Sequence, residues 1–155
     1  MAKKPEFDLQ ATHRYFAADC FNKTWEYIDN ENRTSQEGDV MLSLSLASLW
    51  HWTQRQDCTP ANMAIGYWQV ARVFALLEQA DNARHYGELC LEASQVDGVE
   101  PYYKGYAYEA LARAEWVAGH KHAKDTFIQQ ARQVAAEVKD AEDRKQLLKD
   151  LDTIQ

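Results

Sequence analysis

The chain has 155 residues, of which 46% are hydrophobic and 26% charged, a composition typical of one globular domain. Its formal net charge of −7 argues against a surface for nucleic acids or anionic membranes, because both require clustered Lys and Arg. The three cysteines, Cys20, Cys58 and Cys90, are odd in number and lack a Cys-x-x-Cys spacing, so we expect reduced thiols rather than disulfides or a thiolate zinc site.

The N-terminal part of the chain predicts two helices. Asp8 is a good N-cap for the first, in which apolar residues recur at helical spacing as far as Ile28. The polar segment 29–35 reads as a loop, and a second helix is expected over residues 36–54. The stretch 40–52 within it is too short and too polar to span a bilayer, and no signal-peptide core precedes it. We therefore expect a cytoplasmic protein.

Five further helices are expected in the remainder of the chain. Thr59 and Pro60 form a strong helix start, and a second Pro, Pro101, opens another helix after Glu100. Partner helices are expected from Asp81 and over residues 121–138, and a last amphipathic helix carries Leu147, Leu148 and Leu151. About seven helices and no strand result, which predicts an all-α single domain over residues 1–155.

Two segments of the second half share a pattern when they are aligned with an offset of 40 residues. Residues 67–84 and 107–124 each contain a helix, a short polar turn and an Ala early in the partner helix, Ala83 and Ala123 respectively. Small residues of this kind allow two antiparallel helices to approach closely. A single helical hairpin cannot bury its apolar face alone, so repeated hairpins are expected to stack on one another.

This pattern resembles the tetratricopeptide-repeat family. The matching residues in the first copy are Tyr67, Ala71, Phe74 and Ala83. The second copy has Ala107, Leu111, Ala114 and Ala123 at these positions, of which only Ala123 fits the family pattern cleanly. The offset is longer than the family's repeat of about 34 residues. The resemblance covers residues 59–138 and implies hairpins stacked in a right-handed array. Residues 139–155 are then expected to form a C-terminal capping helix.

The resemblance also implies a binding groove, because the first helix of each hairpin lines the concave face in this family. Carried over by position, the groove residues would be Trp68, Arg72, Tyr108 and Trp116, with Glu115 nearby. Family members that clamp a peptide carboxylate use Lys and Asn on this face. This chain has aromatic residues and Arg72 there, which argues against the recognition of chaperone C-terminal tails. A protein or peptide partner is therefore expected.

The second helix suggests self-association. Its apolar residues occupy more than one side, and Trp50 and Trp52 point about 200° apart at about 100° per residue. Both rings therefore cannot enter one core. We expect a symmetric homodimer whose contact includes Trp50, His51 and Trp52, because two-fold pairing is the commonest way to bury such a patch.

No catalytic or metal-binding motif is recognisable in the sequence. The five histidines lack the His-x-x-x-His and Glu-x-x-His spacings that place two ligands on one helix face, and neither a Gly-x-Ser-x-Gly elbow nor a phosphate-binding glycine loop occurs. We therefore predict a non-enzymatic interaction module without a cofactor or metal. The alternative is a small-molecule-binding or enzymatic helical domain that uses the aromatic residues together with His51.

Overall fold

Seven α-helices form the regular structure of residues 6–155, the part of the chain described by a computed structural model of the protein. The bounds are α1 Leu9–Ile28, α2 Ser35–Thr53, α3 Pro60–Leu76, α4 Ala80–Ser94, α5 Pro101–Val117, α6 Lys121–Ala135 and α7 Ala141–Leu151. No strand occurs within residues 6–155. The prediction of an all-α fold with about seven helices is confirmed.

Side chains just before the helices account for several of these starts. Asp8 accepts a hydrogen bond from the backbone N–H of Ala11, and Asp140 caps α7 in the same manner. Thr34 and Thr59 form reciprocal capping boxes with Glu37 and Asn62, so the free N–H groups of the first turn find acceptors. Local sequence chemistry therefore sets where α1, α2, α3 and α7 begin.

The helices pack as stacked hairpins. Each helix from α1 to α6 contacts the next one, and α7 packs on both α5 and α6. Helices α1, α3, α5 and α7 also contact one another in that order, so they form one layer. Helices α2, α4 and α6 lie behind this layer. Among the described residues, no helix is long and apolar enough to cross a membrane.

The two hairpins α3–α4 and α5–α6 repeat with a period of 41 residues, as the starts at Pro60 and Pro101 show. Helices α3 and α5 each have 17 residues, and α4 and α6 each have 15. The offset of 40 residues expected from the sequence is therefore wrong by one position. Because one residue corresponds to a rotation of about 100° on a helix, this correction changes which faces of α3 and α5 are equivalent.

The turns between the paired helices account for this difference in register. Glu78, with a φ of 57°, and Gly119, with a φ of 76°, occupy equivalent positions after α3 and α5. The next N–H closes each turn, from Gln79 to the Phe74 carbonyl and from His120 to the Glu115 carbonyl, both over 2.9 Å. Glycine normally occupies this left-handed position, so Glu78 conceals the first turn from a sequence-based alignment.

Small residues lie where the helices approach most closely. Ala83 is fully buried and packs in a cluster with Phe74 and Ala114. A Cβ atom added to Gly87 would lie 2.9 Å from a methyl group of Leu111, so α4 and α5 meet without room for a side chain there. The expected tight packing around Ala83 is present, whereas Ala123 is only half-buried.

Helix α7 covers the end of α5 and α6. Leu147 and Leu151 are buried in a cluster with Tyr106, Ala131 and Ala135. Polar contacts add to this packing, since the Arg113 guanidinium donates to the Asp150 carbonyl over 3.1 Å and to the Thr153 hydroxyl over 2.6 Å. The helix is therefore fixed to α5 by both apolar and polar contacts.

Candidate binding groove

The layer formed by α1, α3, α5 and α7 contains a cavity of about 390 Å³. The lining is mainly apolar and aromatic, with one carboxylate and one amide contributed by α7. These residues are Phe21, Trp25, Ala64, Ile65, Trp68, Cys90, Tyr102, Tyr103, Tyr106, Gln146 and Asp150. All four helices of the layer supply walls of this cavity, and Cys90 of α4 adds one further lining residue.

A second cavity of about 400 Å³ adjoins the first and is more polar. The two cavities share four lining residues. The second cavity has five more, four of them charged, from the end of α1, the following loop, α3 and α5. The shared residues are Trp25, Trp68, Gln146 and Asp150, and the added ones are Ile28, Asp29, Glu31, Arg72 and Glu109. We refer to the two adjoining cavities together as the groove.

A continuous series of aromatic rings forms one wall of the groove. The ring centroids of Trp25 and Trp68 are 5.7 Å apart, and those of Trp68 and Tyr106 are 5.3 Å apart in an edge-to-face arrangement. Tyr102 continues the series with its centroid 4.9 Å from that of Tyr106. Such edge-to-face contacts are favourable for aromatic quadrupoles and hold the rings in defined orientations.

The position of Trp68 is fixed by a buried carboxyl group. The Trp68 indole Nε1 donates to Glu109 Oε2 over 2.9 Å, and Arg72 donates to Glu109 Oε1 over 3.4 Å. Arg113, one turn further along α5, also donates to Glu109 Oε1. Glu109 is 0% exposed. Burial raises the pKa of Glu109 to about 7, against the lowering effects of the Arg72 charge and the Trp68 hydrogen bond.

Asp150 supplies the carboxylate that is common to both cavities. Its Oδ2 accepts a hydrogen bond of 2.6 Å from the Tyr106 hydroxyl, and its Oδ1 accepts one of 3.1 Å from Gln146 Nε2. Both donors are neutral. Burial and this hydrogen bond to Asp150 raise the pKa of Tyr106, so its hydroxyl stays protonated and continues to donate.

The residues predicted from the sequence to line the groove fall into two sets. Trp68 and Arg72 lie in the groove, as described above. Tyr108 stacks on Phe127 of α6 with ring centroids 6.3 Å apart, away from the lining residues of either cavity. Glu115 is buried, and Trp116 at the end of α5 is 45% exposed. The structure therefore brings together two of the five residues.

Glu115 has partners in the neighbouring elements. Its Oε1 accepts from Arg84 of α4 over 2.5 Å, and its Oε2 lies 2.7 Å from His120 Nδ1. The Arg84 hydrogen bond, and to a smaller extent the His120 contact, hold the pKa of Glu115 below its usual value against the effect of burial. In this structure Glu115 links α4, α5 and the α5–α6 turn.

The corrected repeat register explains the position of Tyr108. At the period of 41 residues Tyr108 is equivalent to Tyr67, and Phe127 is equivalent to Tyr86. The Tyr67 and Tyr86 ring centroids are also 6.3 Å apart, so the same contact between paired helices occurs in both hairpins. Trp68 is equivalent instead to Glu109, to which its indole N–H donates directly.

The residues predicted to mediate self-association lie at the other end of the array. Trp50 is 55% exposed. The Nδ1 atoms of His51 and His13 are 2.8 Å apart, so one ring donates to the other across α1 and α2. Trp52 is half-buried and lies under the Arg55 guanidinium, whose central carbon is 3.8 Å from the ring centroid. The two Trp side chains have separate environments.

Several groove residues were not identified from the sequence, above all Trp25, Glu109 and Asp150. Glu109 and Arg113 form an i, i+4 pair, which is usually a feature of an exposed helix face. The sequence does indicate that this pair is buried, because its neighbours in α5 are mainly apolar. These neighbours are Tyr108, Ala110, Ala112 and Ala114. Within residues 6–155, no three His, Cys, Asp or Glu side chains are grouped to hold a metal ion.

No protein-family model matches this sequence, and comparison with curated proteins and with solved structures gave no significant match. Similarity to a protein of known activity therefore assigns no role to the groove, and its chemistry has to be judged from the residues that line it.

Proposed function

We propose that the protein is an interaction module of tetratricopeptide-like architecture whose groove binds a peptide segment of another protein. The observation that carries this proposal is the pair of adjoining cavities, one aromatic and one polar, in the layer formed by α1, α3, α5 and α7. Cavities of about 300–1,000 Å³ are typical of ligand sites. Trp and Tyr, which dominate the wall, are the residues that most often anchor protein interfaces.

The chemistry of the groove favours binding over catalysis. The two carboxyl groups that are bonded to the aromatic wall have structural partners, because Glu109 accepts from three donors and Asp150 from two. Cys90 lies deep in the wall, and burial raises the pKa of its thiol far above the usual value, which opposes nucleophilic use. His51, on which the enzymatic alternative depends, is not among the residues that line either cavity.

A library of random 12-residue peptides, selected against the purified protein, tests this proposal. We expect selected peptides whose affinity, measured by calorimetry, falls at least about tenfold in Tyr102→Ala, the loss typical of an anchoring aromatic residue. Trp116→Ala is the matched control, because Trp116 is 45% exposed at the end of α5, away from the α1–α2 end, and lines neither cavity. Failure to select any peptide, or selected peptides that bind Tyr102→Ala unchanged, would contradict the proposal.

We also propose that the protein forms a symmetric homodimer through its α1–α2 end. Most of the large apolar side chains that are exposed in the described residues lie there: Phe7, Leu9, Tyr15, Phe16, Val40 and Trp50. A concentration of exposed apolar side chains on two adjacent helices is typical of an interaction surface. In this dimer Trp50 inserts into the contact, while His51 and Trp52 support it from the partly buried side of α2.

Light scattering at high protein concentration tests the dimer. We expect about twice the chain mass of 17.9 kDa, and we expect Trp50→Ser to shift the protein towards the monomer. Trp116→Ser is the matched control, because this ring is exposed to a similar extent at the end of α5. A monomeric wild-type protein would refute the dimer, and a dimer that persists in Trp50→Ser would refute this interface.

A further inference from the structure

We infer that the segment bound in the groove presents a basic side chain, Lys or Arg, which lies against the aromatic wall and is neutralised by Asp150. This inference rests on the proposed function, because it names the chemistry of the ligand for the same groove. It is carried by two independent features of the groove, namely its surplus of carboxylates and the series of aromatic rings beside them.

The charges that line the groove are unbalanced. Glu109 is bonded by the guanidinium groups of both Arg72 and Arg113, so these three groups together carry one excess positive charge. Three further carboxylates outnumber this excess. Asp29, Glu31 and Asp150 line the same polar cavity, in which Arg72 is the one cationic side chain among the described lining residues. The two side-chain partners of Asp150 are neutral, as described above. A ligand with positive charge therefore complements this part of the surface.

The aromatic wall provides a second favourable interaction for the same ligand. A cation within about 6 Å of an aromatic centroid is attracted by the ring quadrupole, most strongly by Trp. Trp25, Trp68 and Tyr106 lie beside Asp150 around a shared space. Their rings can contact the aliphatic part of a Lys or Arg side chain while its charged end reaches the carboxylate.

Desolvation distinguishes a basic ligand from the alternatives. A neutral apolar segment that covered Asp150 would remove water from a carboxylate whose side-chain partners are neutral, which is costly. An acidic segment would in addition be repelled by Asp29, Glu31 and Asp150. A basic side chain replaces the lost water with an ion pair, so the groove selects for it among peptides of similar size.

Three blocked peptides that differ at one position test this inference by calorimetry. Acetyl-Gly-Leu-X-Leu-Gly-amide is prepared with Lys, norleucine or Glu at X, since norleucine keeps the aliphatic chain without the charge. We expect the Lys peptide to bind at least about tenfold more tightly than the norleucine peptide, and its affinity to fall about tenfold in Asp150→Asn, as for a partly screened ion pair. Asn at this position retains an acceptor for Tyr106.

Substitutions at Gln146 provide a control against structural damage. Gln146 is exposed and lines both cavities beside Asp150. Gln146→Lys should weaken binding of the Lys peptide and Gln146→Glu should strengthen it, a reversal of sign that a folding defect cannot produce. Gln129→Lys, the same change on the exposed part of α6, should leave the affinity unchanged.

The outcomes separate the two proposals. If the norleucine and Lys peptides bind equally, and Tyr102→Ala weakens both, the groove binds peptides and the inferred basic side chain is wrong. If the two Gln146 substitutions have the same effect on the Lys peptide, the inference is also overturned. If neither these peptides nor any selected from the random library binds, the proposed function fails together with the inference.

Discussion

The position of α7 determines the polar side of the groove that both cavities share, because this helix supplies Gln146 and Asp150. The contact that holds α7 is centred on Leu147, which is 0% exposed and packs on α5 and α6. It is also tight, since a Cβ atom added to Gly105 would collide with a Leu147 methyl group. Leu147→Ala removes this side chain and leaves a cavity that the close packing of α5 prevents from collapsing fully.

We expect Leu147→Ala to reduce the free energy of unfolding by about 3–5 kcal/mol, the range for a fully buried Leu in a rigid site. For a chain of this length the melting temperature should fall by about 6–20 °C. Helix α7 has only 11 residues and cannot be stable alone. Its amides should therefore exchange with solvent faster than those of α3 and α4.

Urea denaturation followed by circular dichroism measures the first effect, and hydrogen exchange resolved by helix measures the second. Lys145→Ala is the matched control, because Lys145 is an exposed residue of the same helix and should change stability by less than about 0.5 kcal/mol. Gly105→Ala should have a smaller effect than Leu147→Ala, since overpacking is partly offset by the higher helix propensity of Ala. A loss below about 1 kcal/mol in Leu147→Ala, with unchanged exchange in α7, would refute this account of the cap.

Three further predictions concern the hairpins and the titratable groups. Ala83→Leu should cost about 1–3 kcal/mol in urea denaturation, because Ala83 is fully buried between helices; unchanged stability would contradict the packing of α4. Burial and the charge of His13 lower the pKa of His51 from 6.5 in the folded chain. The unfolded chain therefore binds this proton at a higher pH than the folded chain does, and stability is lost as the pH falls below about 6.5. His51→Phe should therefore reduce the fall in melting temperature between about pH 7 and pH 5, and an identical fall would exclude this role. Cys20, Cys58 and Cys90 are free thiols, so a reductant should leave the melting temperature unchanged, whereas a drop would reveal a disulfide.

The helices could be predicted from the sequence because their determinants are local. Asp8, Thr59 and Pro60 carry the chemistry of helix starts, and the apolar spacing beyond them is that of a helix. The repeat was also recognisable, but its register was not. Glu78 takes a left-handed conformation that sequence rules assign to glycine, so the turn after α3 could not be aligned with the turn at Gly119.

The groove could be predicted only in part, because its chemistry depends on contacts between distant segments. Trp68 and Arg72 were identified through the resemblance to a repeat family. Glu109 is separated from Trp68 by 41 residues along the chain and Asp150 from Tyr106 by 44. Neither pairing leaves a local pattern. The buried position of Glu109 follows from its partners on α3, which a single sequence does not specify.

The five Trp residues provide the most direct test of the central claim that the groove binds the partner. In NMR spectra, their indole N–H signals report separately on three regions. Trp25 and Trp68 report on the groove, Trp50 and Trp52 on the α1–α2 end, and Trp116 on the end of α5. On titration with a peptide selected from the random library, the account predicts that the signals of Trp25 and Trp68 shift and that the signal of Trp116 stays unchanged. Shifts confined to Trp50, Trp52 or Trp116, with Trp25 and Trp68 unaffected, would contradict it.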